Sequence, residues 1–231
     1  MNSELAILTE KIGNHLNEKR KAAIEKVLNN RTRHFTVAIE NIFHPHNVNA
    51  VLRSCECFGL QDLHVIDVQE KYKIQKRIAK GANKWTDIYY YEKGENPTLD
   101  CIQKLKADGY SIVGTSPHKS DIALENFDYT QKAAFFFGAE KEGISDTVIK
   151  HADYFVKIPI YGFTESFNVS VAVAIILHHL TLKLRQDNAI NWQLSNDEIA
   201  QKTLEWYVKS ARNGKKLLKY YKEQLILNNS F

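Results

Sequence analysis

The residues whose types and spacing could do chemistry fall into three stretches. The first runs Asn47-Val-Asn-Ala-Val-Leu-Arg53 and on to Gly59. The second is Phe137-Gly-Ala-Glu140-Lys-Glu-Gly143. The third is Ile158-Pro-Ile-Tyr-Gly-Phe-Thr-Glu-Ser166-Phe167-Asn168-Val-Ser170. Each joins an apolar run to a polar loop. Arg53 offers a fixed cation and five N–H donors, suited to a phosphate or a developing oxyanion. Glu140 accepts hydrogen bonds, Ser166 can donate or accept, and Asn47 and Asn168 can do both. Taken singly, each has an ordinary alternative. Asn47, Ser166 and Asn168 can cap helices, Glu140 can be a solvated loop charge, and Arg53 can pair with Glu56 one helical turn on.

Other chemistries are absent from the sequence. No Gly-x-Gly-x-x-Gly follows an apolar run. Gly138 to Gly143 has P-loop glycine spacing, but Ile144 stands where a lysine is required. There is no Gly-x-Ser-x-Gly elbow. Cys55, Cys57 and Cys101 have no metal-ligand spacing and read as free thiols of a reducing cytoplasm. His178 and His179 lack a His-Glu-x-x-His context, and no metal is expected.

The elements that must position these residues can be read from periodicity. Apolar positions at helical spacing over residues 3–30 predict one or two helices, with a break near Gly13 or Asn17. Strands are expected at Phe35 to Glu40, Leu63 to Val68, Ile88 to Tyr91, Tyr110 to Thr115, Ala133 to Phe137 and Tyr154 to Ile158. Helices are expected at Asn47 to Phe58, Thr98 to Ala107, Ile144 to His151 and Val169 to Leu184. His44-Pro45-His46 reads as a turn, with Asn47 or Asn49 capping the helix after it and Gly59 closing it. The helix from Val169 is apolar enough to be buried on most sides. Ser195 and Glu198 form a capping box, and Gly214 separates that helix from a basic last one. Short apolar strands alternating with helices predict an α/β fold with a mostly parallel sheet. All three polar stretches then follow strands, where open α/β sheets bind ligands.

The 231 residues carry a net charge of +4. Residues 1–33 hold seven Lys/Arg against four Glu, and residues 196–231 hold seven against four acids, so each end carries +3 and the middle about −2 by subtraction. Basic ends suit a polyanion. Within the middle, Lys71, Lys73, Lys76, Arg77, Lys80 and Lys84 form a basic run ahead of Trp85. Trp85 reads either as a base-stacking ring or as core. No apolar run reaches transmembrane length, and the N-terminus does not resemble a signal peptide.

Asn47-x-x-Ala-Val-Leu-Arg-Ser, Phe137-Gly-Ala-Glu-Lys-Glu-Gly143 and Ile158-Pro-Ile-x-Gly-x-x-x-Ser-x-Asn-Val-Ser170 together resemble the three motifs of the SPOUT methyltransferases, in order. Within that superfamily they resemble the SpoU/TrmH group of RNA 2′-O-ribose methyltransferases, over roughly residues 35–185. Lys80-Gly-Ala-Asn-Lys-Trp85 adds to the likeness, and the short helical ends resemble the branch that acts on the tRNA D-loop guanosine at position 18.

The resemblance implies a C-terminal trefoil knot, a feature that chain-topology rules would exclude. It implies S-adenosylmethionine bound in that knot and a cytoplasmic homodimer acting on tRNA. The implied layout is an N-terminal extension at 1–33, a methyltransferase domain at 34–186 and a basic extension at 187–231. Thr115, Gly138, Ile158 and Phe167 would line the cofactor site; the family usually has Leu where Phe167 stands. Arg53 would be the catalytic arginine, with Asn47, Glu140, Ser166 and Asn168 shaping the site. It acts either as a base assisted by the substrate phosphate or as a cation stabilising the forming alkoxide. The basic run from Lys71 to Lys84 would hold RNA phosphates. The competing readings are ribosomal RNA or another tRNA position as substrate, a base methyltransferase, and a non-catalytic RNA-binding module.

Overall fold

The computed structural model describes residues 3–67, 81–116 and 122–228. In chain order the elements are α1 (Ser3–Gly13), α2 (Glu18–Leu28), β1 (Phe35–Glu40), α3 (Pro45–Cys57), β2 (Asp62–Ile66), β3 (Asp87–Tyr91), α4 (Pro97–Ala107), β4 (Ser111–Thr115), β5 (Ile122–Ala123), β6 (Ala133–Phe137), α5 (Asp146–His151), β7 (Tyr154–Lys157), α6 (Val169–Gln186), α7 (Asn196–Ser210) and α8 (Gly214–Asn228). Short 3-10 turns lie at Ala82–Lys84 and Leu124–Asn126. The chain divides into two compact units, Thr32–Trp192 and Met1–Arg31 with Gln193–Phe231.

The larger unit is an α/β sheet. Its seven strands run in the order β3-β2-β1-β6-β4-β7-β5, every pairing parallel. β1 (FTVAIE) and β6 (AAFFF) are buried at every residue, as continuous apolar runs in a parallel sheet must be. Alternation along the strands sorts the core into two layers. Phe35, Val37, Ile39, Phe135 and Phe137 join the cluster that includes α3 and α6. Ala38, Ala134 and Phe136 join the cluster of α4 and α5 on the other face.

The starts of β1, β2 and β3 are tied by Arg33, which pairs with Asp62 and, at 3.0 Å, with Asp87. Burial works against the Arg33 charge, but Asp62 more than offsets it and holds the guanidinium above its usual pKa. Arg33→Met would leave both carboxylates without that partner. It is expected to lower the unfolding free energy by about 2 kcal/mol, short of the full buried-pair cost because Arg33 keeps partial exposure. A denaturant titration reads this; a loss below about 0.5 kcal/mol, the size of an ordinary surface effect, would contradict it.

Two local expectations are corrected. Helix α3 starts at Pro45, not Asn47. Proline at N1 lacks only an N–H that would be unsatisfied there anyway, so His44 becomes the N-cap, without a side-chain cap. Asn49 instead donates to the Pro45 carbonyl at 2.7 Å. Helix α6 buries one face, through Val169, Val173, Ile176, Leu177, Leu180 and Leu184. Val171 and Leu182 on its other side are 45% and 50% exposed.

In the smaller unit, Asn17 caps α2 by accepting from the Arg20 N–H at 2.8 Å, which separates it from α1. Trp206 of α7 is buried, with the Arg31 guanidinium over its ring at 5.3 Å. The Ser195–Glu198 capping box forms in both directions. Ala211 turns extended to end α7, and Gly214 begins α8. A Cβ on Gly214 would sit 2.0 Å from the Val208 carbonyl oxygen, which explains a glycine there.

Candidate functional site

The site is assembled at the carboxyl ends of adjacent strands. β1 and β6 are neighbours in register from Phe35↔Ala133 to Ile39↔Phe137. The loops that follow them therefore emerge side by side, one leading into α3 and the other carrying Glu140. The Asn47 amide donates to Glu140 Oε1 at 2.6 Å. The Phe43 backbone N–H donates to Glu140 Oε2 at 3.2 Å. Asn168, arriving from the loop after β7, donates to Asn47 Oδ1 at 3.3 Å. Its own Oδ1 accepts from the Ser170 N–H at 2.9 Å and the Ser170 hydroxyl at 2.7 Å, capping α6. One hydrogen-bonded chain thus joins all three polar stretches. Capping and site-building are not rival roles for Asn168: its oxygen does one and its nitrogen the other.

Burial tends to raise the Glu140 pKa, but the hydrogen bonds from Asn47, from its own backbone N–H and from the Phe43 N–H outweigh it. The carboxyl is held below its ordinary value of 4.5. A depressed carboxylate pKa gives a tie that is intact above the ordinary value and lost as pH falls through the lower one. The NMR signals of the Asn47 side-chain amide are expected to change most in acid solution, below the ordinary carboxylate range. An amide signal that does not respond as the carboxylate protonates would refute the tie.

The glycines of the second loop are steric requirements. A Cβ on Gly138 would lie 1.8 Å from the Gly143 carbonyl oxygen and 2.3 Å from the Ile144 nitrogen. The loop closes back on itself there, with the Gly143 N–H donating to the Ala139 carbonyl at 2.9 Å. Buried Glu40, ending β1, accepts from the Ser145 N–H at 3.0 Å and holds the far end of the loop.

Three of the expected cofactor residues, Thr115, Gly138 and Ile158, lie at the ends of the neighbouring strands β4, β6 and β7, and Phe167 lies in the loop just before α6. Gly114 is level with Phe136, and Thr115 with Val156. Gly138 and Ile158 follow directly on their strands. The Thr115 hydroxyl donates to the Phe136 carbonyl at 2.7 Å, so it braces β4 against β6. Ile158 is half-buried against the core, and Phe167 is 41% exposed. Among the described residues, no hydrogen bond engages the backbone of residues 160–167. Ile158 and Phe167 offer apolar surface to an adenine ring, and the exposed loop between them can supply a few edge contacts. The residues present fit S-adenosylmethionine.

Arg53 stands apart from the hydrogen-bonded chain. It lies two turns along α3 from Asn47, about 9 Å of helix rise, on an exposed stripe with His46 and Cys57. Among the described residues no hydrogen bond or ion pair engages it, so the alternative of a Glu56 pair is not realised. Ser166 is exposed within the third loop and likewise unbonded. Lys84 is exposed at the end of a 3-10 turn, and Trp85 is half-buried. Lys71, Lys73, Lys76, Arg77 and Lys80 lie outside the described residues. Among the described residues no cluster of three or more His, Cys, Asp or Glu is placed to hold a metal ion. Phe43 and His44 are site residues that sequence reasoning missed; the available sign was an aromatic side chain directly before His-Pro-His-Asn47.

Known proteins are similar to this chain in sequence and fold. Residues 34–178 match the SpoU rRNA Methylase family. The chain is 40% identical over 198 residues to the tRNA (guanosine(18)-2′-O)-methyltransferase of Borreliella burgdorferi, covering 86% of this chain and 88% of that one. It is 34% identical over 161 residues to the enzyme of the same name from Thermus thermophilus, covering 69% and 80%. The crystal structure of the A. aeolicus TrmH/SpoU tRNA modifying enzyme superposes with a TM-score of 0.72 at 29% identity, over 82% of this chain and 95% of that one. Because the matched region contains all three loops that Asn47, Glu140 and Asn168 knit together, and the likeness extends over most of both chains, the protein belongs to the SpoU rRNA Methylase family.

Proposed function

We infer that this protein is a tRNA methyltransferase that uses S-adenosylmethionine to methylate the ribose 2′-hydroxyl of guanosine 18. The observation that carries the reading is the 40% identity to a tRNA (guanosine(18)-2′-O)-methyltransferase across nearly the whole of both chains. The hydrogen-bonded chain through Asn47, Glu140 and Asn168 supports it.

Thr115, Gly138, Ile158 and Phe167 hold the cofactor. Bound there, it supplies a methyl carbon on a sulfonium sulfur, open to an oxygen nucleophile. The protein's task is then alignment and activation of a weak nucleophile. Asn47, Glu140 and Asn168 keep the three loops in one geometry, and Ser166 offers a hydroxyl beside them. Among the described residues no side-chain hydrogen bond or ion pair holds the Arg53 guanidinium, which can take a substrate phosphate and face the developing alkoxide. Residues 34–186 form the catalytic domain. The basic ends and the run from Lys71 to Lys84 hold tRNA phosphates, a contact that positions without specifying.

The enzyme works as a homodimer. Tyr161 and Phe163 are fully or almost fully exposed, and Val171 and Leu182 form an exposed apolar stripe on α6; a second copy would cover such a surface. The trefoil knot belongs to this reading too, supported by family membership and the adjacency of β6, β4 and β7. No helix among the described residues is long and apolar enough to cross a membrane, and three cysteines outside any disulfide suit a cytoplasmic enzyme.

The test is to incubate the protein with S-adenosylmethionine and unmodified tRNA transcript and map the product by mass spectrometry. A 2′-O-methyl group on guanosine 18 is expected. A mark elsewhere in tRNA, or only on ribosomal RNA, refutes the substrate; a methylated base refutes the reaction; no transfer and no cofactor binding would leave an RNA-binding module.

A further inference from the structure

Phe43 is out of place by the usual rules. It is an aromatic side chain 61% exposed, yet its backbone N–H is hydrogen-bonded into the site. The chain leaves β1 through Asn41, whose left-handed φ of 50° turns it sharply, and the Asn41 N–H is bonded to the Ile66 carbonyl at 3.0 Å. Ile42 is buried and anchors the next residue. Pro45 starts α3 immediately beyond, fixing the other side. Between these anchors the Phe43 N–H is taken by Glu140, the carboxylate that also holds Asn47. The ring itself stands edge-on to His44, with centroids 4.9 Å apart and planes at 81°. A costly exposed ring on a rigid ledge suits a partner with a flat apolar face. A nucleobase has one, and aromatic stacking is how proteins grip a base taken out of its own stack.

We propose that Phe43 is a positioning residue that stacks on the base of the nucleotide whose ribose lies against the Asn47–Glu140–Asn168 cluster. The inference rests on the RNA ribose methyltransferase reading above. His44 backs the ring and keeps it upright. Because Glu140 connects the ledge to Asn47, the same carboxylate sets base and sugar in one frame.

The experiment compares Phe43→Ala, Phe43→Leu and Phe43→Trp with the unsubstituted protein. tRNA affinity is measured on transcripts that carry either guanosine or an abasic site at the target position. With guanosine, the Ala and Leu forms are expected to bind about ten- to thirtyfold more weakly, the scale of one lost base stack, and the Trp form within about threefold. With the abasic transcript, all forms should agree within about threefold, since the partner of the ring is gone. S-adenosylmethionine affinity and sedimentation should not change. Equal weakening on both transcripts, full affinity in Phe43→Leu, or conversion of a dimer to monomer by Phe43→Ala would each overturn the proposal while leaving the enzymatic reading intact. Absence of methyl transfer by the unsubstituted protein would remove that reading and this inference together.

Discussion

Arg53→Ala is expected to lower kcat for methyl transfer about a thousandfold, within the range for loss of a preorganised donor or of an acid–base group. The fall should come without loss of stability or of cofactor affinity. The structural reason is that Arg53 is exposed and bonded to nothing among the described residues. Removing it breaks no side-chain hydrogen bond or ion pair among the described residues, and alanine is the better helix former in α3. Unfolding free energy should therefore stay within about 0.5 kcal/mol. The substitution thus separates chemistry from folding, which it could not do if Arg53 were paired with Glu56. Arg53→Lys sharpens the result. If the guanidinium acts as a cation beside phosphate and alkoxide, lysine should recover about tenfold as a point charge without the planar fork. If it acts as a base, lysine should shift the pH–rate profile as well. Full activity in Arg53→Ala would end the catalytic assignment.

Gly138→Ala tests the scaffold rather than the reacting groups, and its effect is expected to be as large. The added carbon would meet the Gly143 carbonyl oxygen at 1.8 Å, the Gly143 carbonyl carbon at 2.0 Å and the Ile144 nitrogen at 2.3 Å. All three atoms are backbone, so no side chain can rotate out of the way. The loop has to open, losing the Gly143-to-Ala139 hydrogen bond and carrying Glu140 away from Asn47. A stability loss of about 2–4 kcal/mol is expected, in the range for forced core rearrangement, along with loss of detectable S-adenosylmethionine binding by calorimetry. Gly162→Ala is the control. Nothing lies within 4 Å of its Cβ position and its φ is not left-handed, so stability should be unchanged. If the Gly138 variant binds cofactor normally, the loop does not shape the pocket.

Much of this was legible in the residues. Fully apolar strands such as Ala133–Phe137 announce a parallel sheet covered on both faces. The Ser195–Glu198 box and Asn17 mark helix starts because capping is a local hydrogen bond, decided within three or four residues. The three motifs also carry Asn47, Glu140 and Asn168 in order, the residues that the structure joins by hydrogen bonds. Less visible was anything fixed by neighbours distant in sequence. Two-residue β5 is too short for periodicity to register, and exists because it pairs with β7. The exposed side of α6 could not be told from the buried side, because both are apolar.

By itself, then, the sequence determined the α/β class, most helix and strand positions, the basic ends, and the family through its three motifs. Those properties depend on local backbone preference and on residue order. The tertiary structure decided which side chains meet. Only the placing of β6 between β1 and β4 brings Glu140 beside Asn47, 93 positions earlier in the chain. Only the loop from β7 returns Asn168 to the same point, 121 positions after Asn47. Hydrogen-bond partnership depends on strand order and register, and the packing of the whole sheet sets these rather than any single stretch of chain.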